Sequence, residues 1–217
     1  MQTQHVYYIS GLGADDKIWK YIQVHGLQLH FIAWLEPKEN ETLENYAGRM
    51  ASSIQHPNPV LIGLSFGGIM SIEIAKLIPV QKIILISSVK NRDELPFWMK
   101  VCGNLKLNNI VPLKSFKILE PIQNFKLGIT NKEELQLARF YRKTISANYL
   151  KWAVNQILNW QNRFKPCPVI HIHGTRDNMF PFKKICANYC IQEGGHMMIM
   201  NKAIEINSIL EKELKGV

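Results

Sequence analysis

Gly63-Leu64-Ser65-Phe66-Gly67-Gly68 follows directly on the apolar run Val60-Leu61-Ile62 and offers a hydroxyl suited to nucleophilic chemistry. The pattern reads as a strand that turns sharply into a helix with Ser65 at the apex. Ordinary side chains two residues from such an apex would crowd it. Glycines at 63 and 67 relieve the crowding, and Gly68 lets the next helix pack close to the sheet. The turn lifts the Ser65 hydroxyl out of the sheet, near the positive end of a helix. Both flanks are legible: Pro57-Asn58-Pro59 precedes the strand, and the run Ile69 to Ile78 stops at Pro79.

A serine nucleophile needs a base, and the base needs a carboxylate to orient it. The histidines are His5, His25, His30, His56, His171, His173 and His196, and only His196 follows a plausible acid. It lies in Glu193-Gly194-Gly195-His196, where two glycines suit a loop folded tightly over a sheet edge. The acid is Asp177, a few residues beyond the apolar strand Val169-Ile170-His171-Ile172-His173 and its Gly174 turn. Serine, acid and histidine thus occur in the chain order that accompanies this kind of elbow. Each sits at the C-terminal end of a predicted strand, the edge at which open parallel sheets carry their sites. Each also has a plainer explanation. Ser65 could cap a helix, Asp177 could cap a short helix near Pro181, and His196 could be an ordinary loop residue. Order and spacing together favour the triad.

With Gly-Leu-Ser-Phe-Gly-Gly, His-Gly-Thr-Arg-Asp and Gly-Gly-His as anchors, the chain resembles the α/β-hydrolase family over residues 1–89 and 166–217. The resemblance implies an oxyanion hole of two backbone N–H groups, one from Phe66 and one from the loop Ser10-Gly11-Leu12-Gly13, where Leu12 N–H can serve. Many relatives have His-Gly where this chain has Ser10-Gly11. The donor is main chain, so the departure leaves the role intact. A plain turn into a helix capped by Asp15 or Asp16 is compatible with it.

The elements that must position these residues follow from hydrophobic period. Strands are expected at 5–9, 29–34, 59–63, 82–87, 168–173 and 187–192, with Lys82-Ile83-Ile84-Leu85-Ile86 reading as a strand buried on both faces. Helices are expected at 42–55 and about 202–214. Alternation of strand and helix predicts an α/β fold, a doubly wound, mostly parallel sheet of about six strands. The family's usual leading hairpin has no room here, so the version is trimmed. Residues 90–165 break the rhythm with helical stretches, Lys132 to Ala147 and Tyr149 to Gln161. In the family a helical cap is inserted at this place.

Composition is that of a folded globular chain, with 47% hydrophobic and 20% charged residues among 217. No apolar stretch approaches the roughly 20 residues that span a bilayer. The N-terminus reads as a first strand and not as a signal peptide. Cys102, Cys167, Cys186 and Cys190 lack framework spacing and read as free thiols of a cytoplasmic protein. Cys186-x-x-x-Cys190 lacks partners for zinc, and His171-x-His173 reads as core packing, so neither metal nor cofactor is expected.

The formal net charge is +9, and residues 90–165 hold fourteen Lys and Arg against five Asp and Glu, so the whole excess sits in the expected cap. Such a field steers anionic partners: a phosphopantetheine thioester, an acidic carrier protein or a carboxylate-bearing ester. A solubilising basic surface would look the same. Nucleic acid fits poorly, because the bases are not grouped and no binding motif accompanies them. The expected function is a serine hydrolase acting on a small ester or thioester. Acyl transfer by the same residues and ligand binding on an inactive hydrolase scaffold remain as alternatives. Dehalogenase chemistry would want a carboxylate where Ser65 stands.

Overall fold

Residues 4–25, 27–105, 116–163 and 167–215 are described by the structure, a computed structural model. Lys106, Lys114 and Lys165 of the basic segment, and the expected boundary at 165/166, lie outside the described residues. Six strands form one parallel sheet: β1 (His5–Ile9), β2 (Gln28–Phe31), β3 (Val60–Leu64), β4 (Lys82–Ile86), β5 (Val169–Gly174) and β6 (Tyr189–Ile191), in the order β2-β1-β3-β4-β5-β6. Every pairing is parallel, so the sheet is wholly rather than mostly parallel. Because β1 has β2 on one side and β3 on the other, the strand order reverses there. A crevice opens at the C-terminal ends of β1 and β3.

Alternation along the strands divides the core into two layers. Leu61, Ile83 and Leu85 point into one with Tyr46, Met50, Ile69 and Ile72. That layer is covered by α1 (Leu43–Ala51), α2 (Phe66–Ala75), α3 (Phe97–Asn104) and α6 (Ala147–Asn159). Val60, Ile62, Ile84 and Ile86 point into the other with Ile18, Trp19, Ile206 and Leu210. It lies beneath a 3₁₀ turn (Asp16–Trp19), α7 (Met198–Asn201) and α8 (Ala203–Lys215). Ile83, Ile84, Leu85 and Ile86 are all fully buried. Each such side chain stabilises the fold by about 1.5–3 kcal/mol. Helix α2 is buried from Phe66 through Ile74, which explains why its sequence has no polar face.

Several expected boundaries shift. Helix α1 starts as expected, with the Thr42 hydroxyl accepting from Asn45 N, but it ends at Ala51 instead of 55. The Ser52 and Ser53 hydroxyls donate to Arg49 O and Met50 O, drawing off the carbonyls that another turn would use. Strand β2 stops at Phe31, short of 34, and the expected 187–192 strand pairs only over Tyr189–Ile191. Between β4 and β5 the described residues contain α3, α4 (Phe116–Leu127), α5 (Lys132–Thr144) and α6, and no strand. Helix α6 begins at Ala147 rather than 149, because the Ser146 hydroxyl accepts from Tyr149 N and caps it. Among the described residues no helix is long and apolar enough to cross a membrane.

Candidate active site

Ser65 sits at φ 52° and ψ −118°, between β3 and α2. A non-glycine residue holds such a conformation only where its surroundings impose it. Here Ser65 N donates to Ile86 O at 2.9 Å, and Ser88 Oγ donates to Ser65 O at 2.6 Å. A Cβ at Gly67 would overlap Ile9 O, and one at Gly63 would overlap the backbone of Gly68. The glycines are therefore required by close backbone approach as much as by the turn. Ser65 makes no capping bond to α2. Its Oγ lies 2.9 Å from His196 Nε2 instead.

His196 Nδ1 lies 2.8 Å from Asp177 Oδ2. A carboxylate only accepts, so Nδ1 carries the proton and Nε2 is left to accept from the serine hydroxyl. Asp177 is 3% exposed and His196 6%. The other Asp177 oxygen, Oδ1, accepts from Met179 N and Phe180 N, both at 2.8 Å. The carboxylate thus caps its own turn and orients the imidazole at once. Burial opposes its ionisation, yet His196, His173 and the Phe180 N–H together hold it below the usual carboxylate range. Arg176 N donates to Gly194 O at 2.9 Å and ties the acid loop to the histidine loop.

His173 is fully buried beside this pair, with Nε2 2.8 Å from Phe180 O and 3.6 Å from Asp177 Oδ2. Burial lowers its pKa, with Asp177 opposing, so the ring is neutral and braces the Phe180 peptide. The Phe180 ring meets His196 edge-on, centroids 5.4 Å apart.

In the loop after β1, Trp34 Nε1 and Ala14 N both donate to Gly11 O, at 2.9 and 3.0 Å. A trans peptide points its N–H away from its carbonyl, so these bonds turn Leu12 N–H to the side opposite the Trp34 indole. Ser10 is fully buried, its hydroxyl accepting from Trp19 Nε1 and donating to Asp15 O, both at 2.8 Å. Phe66 opens α2, where the first N–H groups have no carbonyl partner within the helix.

A cavity of about 730 Å³ opens over Ser65 and His196, bounded by Leu12 on one side and by α3–α6 on the other. Its wall is almost wholly apolar, with Leu119, Ile122, Val154 and Ile157 among the lining side chains. Lys126 and Arg142 also reach it. Arg142 donates to Asn124 Oδ1 at 2.6 Å and lies 3.6 Å from Glu120. The end of α4 is fastened to the loops that carry Asp177 and His196. Leu127 O accepts from Met197 N at 3.0 Å, while Lys126 Nζ donates to Asn178 O and Asn178 Nδ2 to Phe125 O, each at 3.2 Å. Tyr141 OH donates to Asp15 Oδ1 at 2.8 Å, joining α5 to the loop after β1.

No family model matches the chain, and no curated protein matches it in sequence. Solved structures match it in fold. An esterase from Thermogutta terrifontis, described as thermophilic and malate-bound, superposes with a TM-score of 0.74 at 16% identity, over 98% of this chain and 90% of that one. A bromoperoxidase from Bacillus anthracis superposes at 0.67 and 16%, covering 99% and 92%. A Bacillus megaterium epoxide hydrolase with an inhibitor superposes at 0.68 and 15%, covering 99% and 94%. The chain has the α/β-hydrolase fold. In this α/β-hydrolase fold, Ser65, Asp177 and His196 follow β3, β5 and β6 in turn and converge at one edge. Sequence reasoning found those residues but not Trp34, His173 or the Phe125–Leu127 fastening. No local motif marks any of these, because each works through a backbone atom of another segment, which no residue type advertises.

Proposed function

We propose that this protein is a serine hydrolase that cleaves a carboxylic ester or thioester through an acyl-enzyme on Ser65. The observation that carries the reading is the continuous hydrogen-bonded chain Ser65 Oγ–His196–Asp177, held on a strained turn at the mouth of an apolar cavity. As Ser65 Oγ attacks the carbonyl carbon, His196 Nε2 takes its proton and the carbonyl oxygen becomes an oxyanion facing Leu12 and Phe66 N–H. The tetrahedral intermediate expels the alcohol or thiol, which receives that proton from His196. Water, deprotonated by the same nitrogen, then attacks the acyl carbon and releases the acid and free Ser65. Asp177 holds the Nδ1–H tautomer throughout and stabilises the imidazolium. Two backbone donors of this kind contribute about 3 kcal/mol each to the transition state.

In this reading residues 90–165 form the cap. Helices α3–α6 exclude water and supply an apolar wall for a hydrocarbon acyl or alcohol group. Lys126 and Arg142 on that wall, with the basic excess of the segment, favour a substrate that also bears an anionic group. A similar fold with malate bound, in a protein described as an esterase, is consistent with that preference.

A fluorophosphonate probe tests the mechanism, since it reacts only with an activated serine. It should label the protein covalently at Ser65, and Ser65→Ala should abolish labelling while leaving the circular dichroism spectrum and Tm unchanged. Labelling that persists in the alanine variant would move the nucleophile elsewhere and overturn the proposal. A panel of nitrophenyl esters of increasing chain length then ranks the acyl group.

A further inference from the structure

Three histidines meet at the end of the sheet opposite Ser65. His5 opens β1, His30 lies on the edge strand β2, and His56 is in the turn between α1 and β3. Strand register sets Tyr7 against His30, and alternation puts His5 and Tyr7 on the same face of β1. One ring nitrogen from each histidine lies within 4.8 Å of the other two. All three rings are half-buried. Five residues of β3 separate this end from the catalytic one, about 17 Å of strand.

We propose that His5, His30 and His56 bind one divalent ion of the zinc, nickel or copper class. Imidazole is the ligand these ions share, whereas magnesium and calcium require the oxygen donors that the cluster lacks. His5 Nδ1 and His30 Nε2 lie 3.2 Å apart, already the spacing of neighbouring ligands around an ion held at about 2.1 Å. Rings of His5 and His56 are stacked, with centroids 3.4 Å apart and planes 9° from parallel. They must tilt for both lone pairs to converge, a side-chain rotation open to half-buried rings. His56 Nδ1 lies 2.6 Å from Tyr7 OH, and that hydroxyl also accepts from Gln55 N at 3.1 Å. Once His56 Nδ1–H donates to Tyr7, Nε2 is the free ligand nitrogen, the arrangement by which ligating histidines are oriented. Among the described residues, the hydrogen bonds of the three rings go to one another and to Tyr7, none to a carboxylate. Burial and the neighbouring histidines also lower the pKa of His5 and His30, keeping both in the neutral form that binds metal.

An ion here would fasten the edge strand β2 to β1 and to the turn before β3. Its role is structural, and it stands apart from the activity proposed above. The sequence obscures it because its ligands are 25 and 26 residues apart, in three different elements.

Calorimetric titration of the EDTA-treated full chain with zinc, nickel and copper salts tests the site. The Cys186→Ser/Cys190→Ser background removes two exposed thiols that bind the same ions. One equivalent of ion should bind, magnesium and calcium should not, and free ion at about 100 times its Kd should raise Tm by roughly 5 °C. Single His30→Ala or His56→Ala changes should weaken binding at least about 10-fold. Both variants should leave fluorophosphonate labelling at Ser65 as in the parent. A histidine NMR titration of the parent protein serves if a variant does not fold. The ring resonances of His5, His30 and His56 should shift together, with those of His25, His171, His173 and His196 unmoved. Absence of binding at about 100 μM ion, full affinity in the histidine variants, or shifts confined to the other histidines would each overturn the proposal.

Discussion

Replacing Asp177 with asparagine tests the proposed mechanism through a choice that the local hydrogen bonds force. Asp177 Oδ1 accepts two buried N–H groups, from Met179 and Phe180, and Oδ2 accepts one, from His196 Nδ1. An asparagine side chain has one oxygen and one NH₂ for the same two places. With the oxygen toward Met179 and Phe180, both backbone donors stay satisfied and the NH₂ faces His196. In the other orientation, two buried N–H groups lose their acceptor at roughly 1–3 kcal/mol each. A central value of about 4 kcal/mol in favour of the first leaves roughly one molecule in 10³ in the second. In the first, His196 Nδ1 must accept, Nε2 carries the proton, and the base can no longer take one from Ser65. Loss of the charge that stabilises the imidazolium removes about another factor of ten. Asp177→Asn should therefore lower kcat on a nitrophenyl ester about 10⁴-fold, some 5.4 kcal/mol of transition-state stabilisation, with KM little changed. Nitrogen NMR of His196 should report the tautomer change directly. Retention of more than about a tenth of kcat would refute the orienting role of Asp177.

Three other outcomes are expected. Trp34→Phe keeps the ring that stacks on Phe66 at 5.1 Å but removes the donor to Gly11 O. It should lower kcat about tenfold without raising KM, less than outright loss of an oxyanion donor, and an unchanged kcat would free Leu12 N–H from Trp34. Burial first, then His173 and Lys90, lowers His171, and burial lowers His173, so below about pH 6.5 the unfolded chain gains protons that the folded chain refuses. Stability measured in urea should thus be flat above that pH and fall as pH drops, by up to about 1.4 kcal/mol per pH unit for each group, with His171→Phe removing one such contribution. Arg142→Gln should cut kcat/KM for an ester bearing a distal carboxylate about tenfold and spare a neutral ester of equal length. Moving from about 20 to 300 mM salt should narrow the parent's preference for the charged ester, and equal losses on both esters would make the basic cap a solubilising surface.

The parts of this molecule that could be read from its sequence are those whose cause is local. The Ser65 turn is legible because Gly63 and Gly67 stand two residues away on either side, where the crowding arises. β3 and β4 are legible because strands buried on both faces must be continuously apolar. The end of α1 is not, since Ser52 and Ser53 use their own hydroxyls to compete for carbonyls that periodicity assigns to the helix. Ser65, Asp177 and His196 could be chosen from chain order, but the double duty of Asp177 could not. Its cap and its imidazole bond look the same in sequence and occupy different oxygens in space. Trp34 and His173 escaped because their partners, Gly11 O and Phe180 O, are backbone atoms that no residue type advertises.

The end of α4 has a further consequence for how such a molecule can change. Leu127 holds the residue after the histidine, and Phe125 and Lys126 hold the residue after the acid, with α4 contributing its own main-chain carbonyl to two of the three bonds. Gly128 continues that contact at φ 66°, where an added Cβ would come within 3.1 Å of Gly195 Cα. The helices over the cavity are therefore not an interchangeable attachment. Grafting the segment from another protein of this fold would leave the acid and histidine loops without a brace. A swing of α4 away from the sheet would also release the very backbone that keeps His196 within reach of Ser65. Access and competence are mechanically one variable in this chain. Broader entry to the cavity is then to be sought at α3 and α6, which make none of these bonds.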